Sequence, residues 1–223
     1  MTLFDTTTPV TDPLVDGQTG PAGTTEQRAA AVTPGAAAST TPAGPIVIGV
    51  DLSLTRTGVA SRHRAVSITS SGKRDDTLAQ RQQRLRHLRG RIITAIAEAG
   101  DPDLIVIEGP SYGSKNAGSQ HDRSGLWWLL IDVFTIRGWR VIEATPSTRM
   151  KYATGKGQVD KDVVLAAAIK RLPIDVTNND EADAAWLCAI GHDLLDQPLC
   201  DMPAAHRSAL EPLRSHLPEG IRL

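Results

Sequence analysis

Four carboxylates in three separated stretches are the residues of this sequence best suited to chemistry. Asp51 closes the apolar run IVIGVD, Glu108 closes LIVIE, and Asp180 and Asp183 stand three apart in DEAD. An acid at the end of an otherwise apolar strand sits at the rim of a core, where loss of hydration is costly unless a cation compensates it. In open α/β sheets the strand ends are also where sites form. Asp180 and Asp183, at the start of a helix, project from neighbouring positions. Brought together, the four would repel one another, and a hard divalent cation with oxygen ligands is the usual reason for carboxylates to stay ionised side by side. Two Mg²⁺ ions, or Mn²⁺ in their place, roughly 3.5–4 Å apart, activate a water and stabilise the leaving oxygen of a phosphodiester without a general-base side chain. Singly, each acid has a plainer role: Asp180 as a helix N-cap with Asp183 at N3, Asp51 and Glu108 as turn acids. Their joint occurrence favours a shared site.

The elements that must position them read as α/β. Ile46 to Asp51 is a buried first strand after Pro45, and Gly58 to Ser61 and Ala65 to Thr69 are two further short strands, so an antiparallel meander is expected. From Thr77 to Ala99 the residues Leu78, Leu85, Leu88, Ile92 and Ile96 follow helical spacing, ending at Gly100. Leu104 to Glu108 is a buried strand, Gly125 to Ile136 an apolar helix and Trp139 to Glu143 a strand. Asp160 to Leu172 and Asp180 to Leu195 complete the helices, the last with Asp183, Leu187, Ile190 and Leu194 on one face. A mixed five-stranded sheet flanked by helices follows from this order.

In their order and spacing, IGVDLSLTRTGVA, IEGPSYGSKNAGS and DEADAAWLCAI resemble the motifs of RuvC-type Holliday-junction resolvases, over about residues 46 to 195. The resemblance implies a ribonuclease-H-like fold opening with three antiparallel strands, in agreement with the element order. It makes Asp51 the first-strand acid, Glu108 the acid ending the fourth strand, and Asp180 with Asp183 the D-x-x-D pair of a metal site. It implies a crossover junction endodeoxyribonuclease that acts on branched, four-way DNA; the approximate two-fold symmetry of such a junction points to a homodimer, with the apolar Gly125 to Ile136 helix as the candidate interface. In the loop after the Glu, Tyr112 precedes Lys115, Asn116 and Ala117, where the family has Phe with a spacing one residue shorter; a Tyr there can still stack on a base. The family's basic residues before the late helices find counterparts in TPSTRMKYATGKGQVDK, best at Lys151 and Lys161, with Lys156 between them. Independently of family, Arg149, Lys151, Lys156 and Lys161 against the lone Asp160 make a cationic, Gly-containing stretch able to meet phosphates. The sequence also departs from the family, with Asp51-Leu-Ser where many members have Asp-Pro-Gly, which implies a divergent resolvase of a phage or other mobile element.

The carboxylates alone leave a second reading, a ribonuclease-H-like nuclease acting on flaps, forks or RNA-containing substrates, because they cut a phosphodiester without reading its context. A sugar-kinase or actin-like ATPase also begins with a loop like IGVDLSLTRTG, but it needs a second nucleotide-binding half that about 150 core residues cannot supply. A binding module without catalysis would tolerate loss of an acid, and all four are here.

Composition bounds the rest. Of the 223 residues, 1 to 44 are rich in Thr, Ala, Pro and Gly and carry little that is large and apolar, so disorder is expected there, with the nuclease domain over 45–195. Beyond Leu195, prolines 198, 203, 212 and 218 suggest a tail of short helical pieces or disorder. No apolar run approaches the ~20 residues that span a bilayer, and no signal peptide is evident, so a cytoplasmic protein without a membrane partner is expected. Cys188 and Cys200 lack metal-finger spacing and read as reduced thiols. The net charge of −1 hides an asymmetry: Asp5, Asp12, Asp16 and Glu26 against Arg28 give −3, leaving +2 on the remainder, so a polyanion would be met by local patches.

Overall fold

The computed structural model describes residues 44–110 and 117–217. By its internal contacts the chain divides into two units, Met1–Thr40 and Thr41–Leu223, and every described residue belongs to the second. The β-branched runs form the strands β1 (Val47–Asp51), β2 (Arg56–Ala60), β3 (Ala65–Thr69), β4 (Leu104–Glu108) and β5 (Val141–Ala144) of one sheet, in the order β3-β2-β1-β4-β5. β1 pairs antiparallel with β2 and β2 with β3, the expected meander, whereas β1 with β4 and β4 with β5 are parallel. The sheet is therefore mixed and five-stranded, as the element order implied.

Strand alternation sends successive side chains to opposite faces, and each face has its own helices. Ile48, Val50, Ile105 and Ile107 point to one side, where they are buried with Leu88, Ile92 and Ile96 of α1 (Leu78–Ala97) and Leu126, Leu130 and Phe134 of α2 (Ala117–Ile136). Thr77 caps α1 in a reciprocal box with Gln80, so the helix starts where its apolar spacing starts. α2 begins eight residues earlier than its apolar spacing suggests, because AGSQHDRS is polar; Arg81 of α1 pairs there with Asp122. Nor is α2 apolar over much of its circumference: Leu126, Leu130 and Phe134 form one buried stripe, Trp127 is half-buried, and Trp128 is exposed.

On the other face lie Val47, Leu104 and Val106 with the late helices α3 (Pro146–Thr154), α4 (Lys161–Arg171) and α5 (Asn179–Leu194). Unlike the amphipathic helix expected, α5 is buried on all sides from Glu181 to Leu194, enclosed by the sheet and by α3 and α4. The segment beyond Leu195 carries α6 (Ala204–Arg207), a 3-10 turn at Ser208–Leu210 and α7 (Glu211–Arg214), and Ala209, Leu210 and Leu213 are buried in the same core. Among the described residues no helix is long and apolar enough to cross a membrane.

Candidate active site

Alternation and register bring the first two acids together. Asp51 follows Val47 and Gly49 on the α5 face, and Glu108 follows Leu104 and Val106 on the same face. The parallel ladder pairs Gly49 with Val106 and Val50 with Ile107, so its next step sets Asp51 beside Glu108. Both are buried.

The other pair reaches them because α5 lies almost on the backbone of β1 and β2. A Cβ added to Gly49 would fall 2.0 Å from the Ala184 carbonyl oxygen and 2.4 Å from the Cys188 nitrogen, and one on Gly58 would fall 2.0 Å from the Asp180 carbonyl oxygen. Only glycine permits that approach. Asn178, not Asp180, caps the helix: its side chain accepts from the Glu181 N–H, while Glu181 accepts from Thr177 and Ser67. Asp180 and Asp183 are thereby free of the helix start. Asp183 is buried and Asp180 half-buried.

A cation enters this cluster from α3, an element that periodicity did not reveal. Thr145 caps it, Pro146 takes the first turn, and Gly155 ends it in the left-handed region at φ 79°. Immediately after β5 this helix turns Arg149 inward: Nε and Nη2 each lie 2.8 Å from Oε2 of Glu108, and Nη1 donates to Oδ1 of Asp183. The residue expected to face phosphates with its neighbouring lysines is instead buried between two acids. Arg123 of α2 stands 3.7 Å from the second Glu108 oxygen, and exposed Arg56 3.7 Å from Asp180. Tyr152, one turn beyond Arg149, anchors α3 by donating to Asp193 of α5 at 2.9 Å, and Arg207 of α6 donates to the same carboxylate oxygen. The Thr-Pro-Ser-Thr start was the signal for this helix; nothing in local charge gave the direction of Arg149.

Asp51 is the exception among the acids. Only 8 % exposed, its carboxylate has no hydrogen bond or ion pair with any described residue. Burial first, then the nearby charges of Glu108 and Asp180, raise its pKa from 3.8 to about 7 against the opposing pull of Arg149. A carboxyl so perturbed in a cluster of acids is a candidate for chemistry. The donor set suits a divalent ion in chemistry, being all oxygen. In arrangement it suits one only in part: among the described residues no three acids, imidazoles or thiols stand as a ready cage, and the Arg149 guanidinium already lies between Glu108 and Asp183.

Of the other residues singled out in the sequence, Lys151 is half-buried on α3, Lys156 is exposed just after it, and Lys161 is exposed at the first position of α4. None of these three forms an ion pair with a described residue. Tyr112, Lys115 and Asn116 lie outside the described residues. Cys188 and Cys200 are free, Cys188 buried with its thiol on the Val47 carbonyl oxygen.

No family model matches the sequence, and no curated protein does. Solved structures do. RuvC of Thermus thermophilus in complex with a Holliday junction substrate is 13% identical, with 71% of this chain and 100% of that chain covered at a TM-score of 0.52. A second structure of T. thermophilus RuvC is 15% identical over 70% of this chain and 99% of that one, with a TM-score of 0.49. The yeast mitochondrial Holliday junction resolvase Ydc2 is 13% identical over 76% of this chain and 82% of its own, with a TM-score of 0.47. The fold of this chain, with its meander, its two parallel strands and its helices on both faces, is the RuvC-like form of the ribonuclease-H-like fold.

Proposed function

We propose that this chain is a divalent-metal-dependent, structure-specific endodeoxyribonuclease that resolves four-way DNA junctions by paired phosphodiester cleavage. One observation carries the reading: on a RuvC-like fold, a buried carboxylate, Asp51, with no hydrogen bond or ion pair to a described residue, is set against Glu108 and Asp180 at the ends of adjoining elements. Mg²⁺, or Mn²⁺ in its place, would be held at Asp51 and Asp180, with Glu108 and Asp183 completing the acidic cluster around it. Bound there, it would polarise a phosphoryl oxygen and supply a nucleophilic water near neutral pH.

The chain's own residues do the rest. The acids accept the cation, and Arg149 fixes the direction of Glu108 and Asp183 before it arrives. Lys151, Lys156 and Lys161, carried on α3, just after it and at the start of α4, would meet the DNA phosphates. Lys161 supports this role, because a cation at the first position of a helix opposes the macrodipole and does not serve α4 itself. Tyr112, Lys115 and Asn116, in the loop after Glu108, would engage bases and backbone at the branch. A four-way junction has approximate two-fold symmetry, so a homodimer with one site per subunit suits paired nicks. That a protein of this fold, T. thermophilus RuvC, is seen with a Holliday junction substrate supports the choice of DNA.

The test is direct. Synthetic four-way junction, fork, flap, duplex and RNA–DNA hybrid substrates are incubated with the protein, with and without Mg²⁺. Symmetric, Mg²⁺-dependent nicks confined to the junction are expected; preferential cutting of flaps, forks or the hybrid would replace the resolvase reading with the more general nuclease one.

A further inference from the structure

The four acids are not equivalent. Glu108 and Asp183 are already served by cations: the Arg149 fork engages both, and Arg123 approaches the remaining Glu108 oxygen. Among the described residues Asp51 has no ion pair or hydrogen bond and feels Arg149 and Arg123 only through space, and Asp180 has an exposed arginine at 3.7 Å. The cluster is thus divided into a neutralised half and an open half. A guanidinium does not give up its proton in a protein, so its charge is permanent. A second divalent ion placed on Glu108 and Asp183 would meet that charge at close quarters in buried, poorly screened ground. Leaving is costly for Arg149 too, since all three of its nitrogens are engaged and α3 is pinned by Tyr152 and Arg207 to Asp193.

We infer that Arg149 is a built-in cation occupying the Glu108–Asp183 half of the centre, so that this chain binds a single divalent ion, on Asp51, where the sequence alone pointed to two. The inference rests on the metal-dependent reading above and concerns how many ions that site takes. Arg149 then acts as a positioning residue: it holds two carboxylates in place by charge and leaves Asp51, with Asp180 beside it, for the metal.

Counting bound ions tests this without any turnover. The full-length protein is titrated with Mn²⁺, and free and bound ion are separated by electron paramagnetic resonance or equilibrium dialysis. One tightly bound ion per chain is expected for the wild type and two for Arg149→Met, whose bare acid pair becomes a second site. Arg149→Lys, which keeps the charge, should return the count to one. Arg149→Met should also melt at a lower temperature than wild type in chelator and regain most of that loss in Mn²⁺. Two ions in the wild type, or one ion in both wild type and Arg149→Met, overturns the inference and leaves the nuclease reading standing. No bound ion in the wild type removes both. Should Arg149→Met fail to fold, the wild-type count still decides.

Discussion

The Asp51 carboxyl makes a pH-dependent contribution to stability whose sign is fixed by its surroundings. Its pKa in the fold lies near 7, above the 3.8 of a free carboxyl, so protonation favours the folded state. That contribution is complete below about pH 4 and is lost as pH rises through 7. Asp51→Asn cannot ionise, so without metal it should be more stable than wild type at pH 7.5 by roughly 4 kcal/mol, the two converging toward pH 4. His192, buried and held neutral with its pKa near 4, titrates in the same range, but it does so in both proteins and cancels in the comparison. Urea melts in chelator across that range check the point, and parallel curves would place Asp51 in a solvated setting. Cleavage should move the other way: Asp51→Asn, Glu108→Gln and Asp183→Asn should each lose at least about a hundredfold in rate while binding a junction normally. Full activity in any of them would remove that acid from the site. These acids were legible in the sequence because each closes an apolar run or opens a helix. Arg149 was legible only as a positive charge, since its inward turn depends on where β5 ends and α3 begins.

At the scale of elements, the site depends on how closely α5 lies on the strands, and that was not legible. A glycine inside a strand pattern says that something comes near, but not which helix, 130 residues on, comes near. The Gly49 and Gly58 positions have no space for a methyl group against the α5 backbone, so Gly49→Ala should cost about 3 kcal/mol or more and pull Asp183 away from Glu108. A thermal melt reads the first effect and loss of metal binding the second; an unchanged melting temperature would mean that α5 sits farther from β1. α4 offers the opposite case. Lys161 does not support its helix, so Lys161→Ala should leave stability unchanged or slightly higher while lowering the salt dependence of junction binding by about one phosphate contact, and Lys151→Ala should do the same to the salt slope. A binding curve unmoved across a salt series would make both lysines part of a solvated face. The strands and α1 could be read from β-branched runs and from period. The polar first half of α2 could not, because it carries no apolar stripe, and α3 is too short to display one.

For the whole molecule, the paired-nick mechanism requires two copies, and α2 has the surface that best fits the role. Its outer edge exposes Trp128, 66% accessible, and Ile136, on the side away from the buried stripe. Light scattering should give a dimer at micromolar concentration, and Trp128→Glu should shift it to a monomer that still binds metal. A wild type that stays monomeric even on junction DNA would end the paired mechanism and leave the carboxylate centre as it stands. The close seating of α5 on β1 has a consequence for how the protein is made. Asp51 and Asp183 are separated by 132 positions, and Asp193, which anchors the helix of Arg149 through Tyr152, is held by Arg207 still later. At ribosomal speeds the interval from the first acid to the last is about 7 s or more, during which the growing polypeptide has no assembled centre. On the proposed reading the centre stays incomplete until synthesis is nearly finished, so unfinished chains would pose no hazard to the nucleic acids around them.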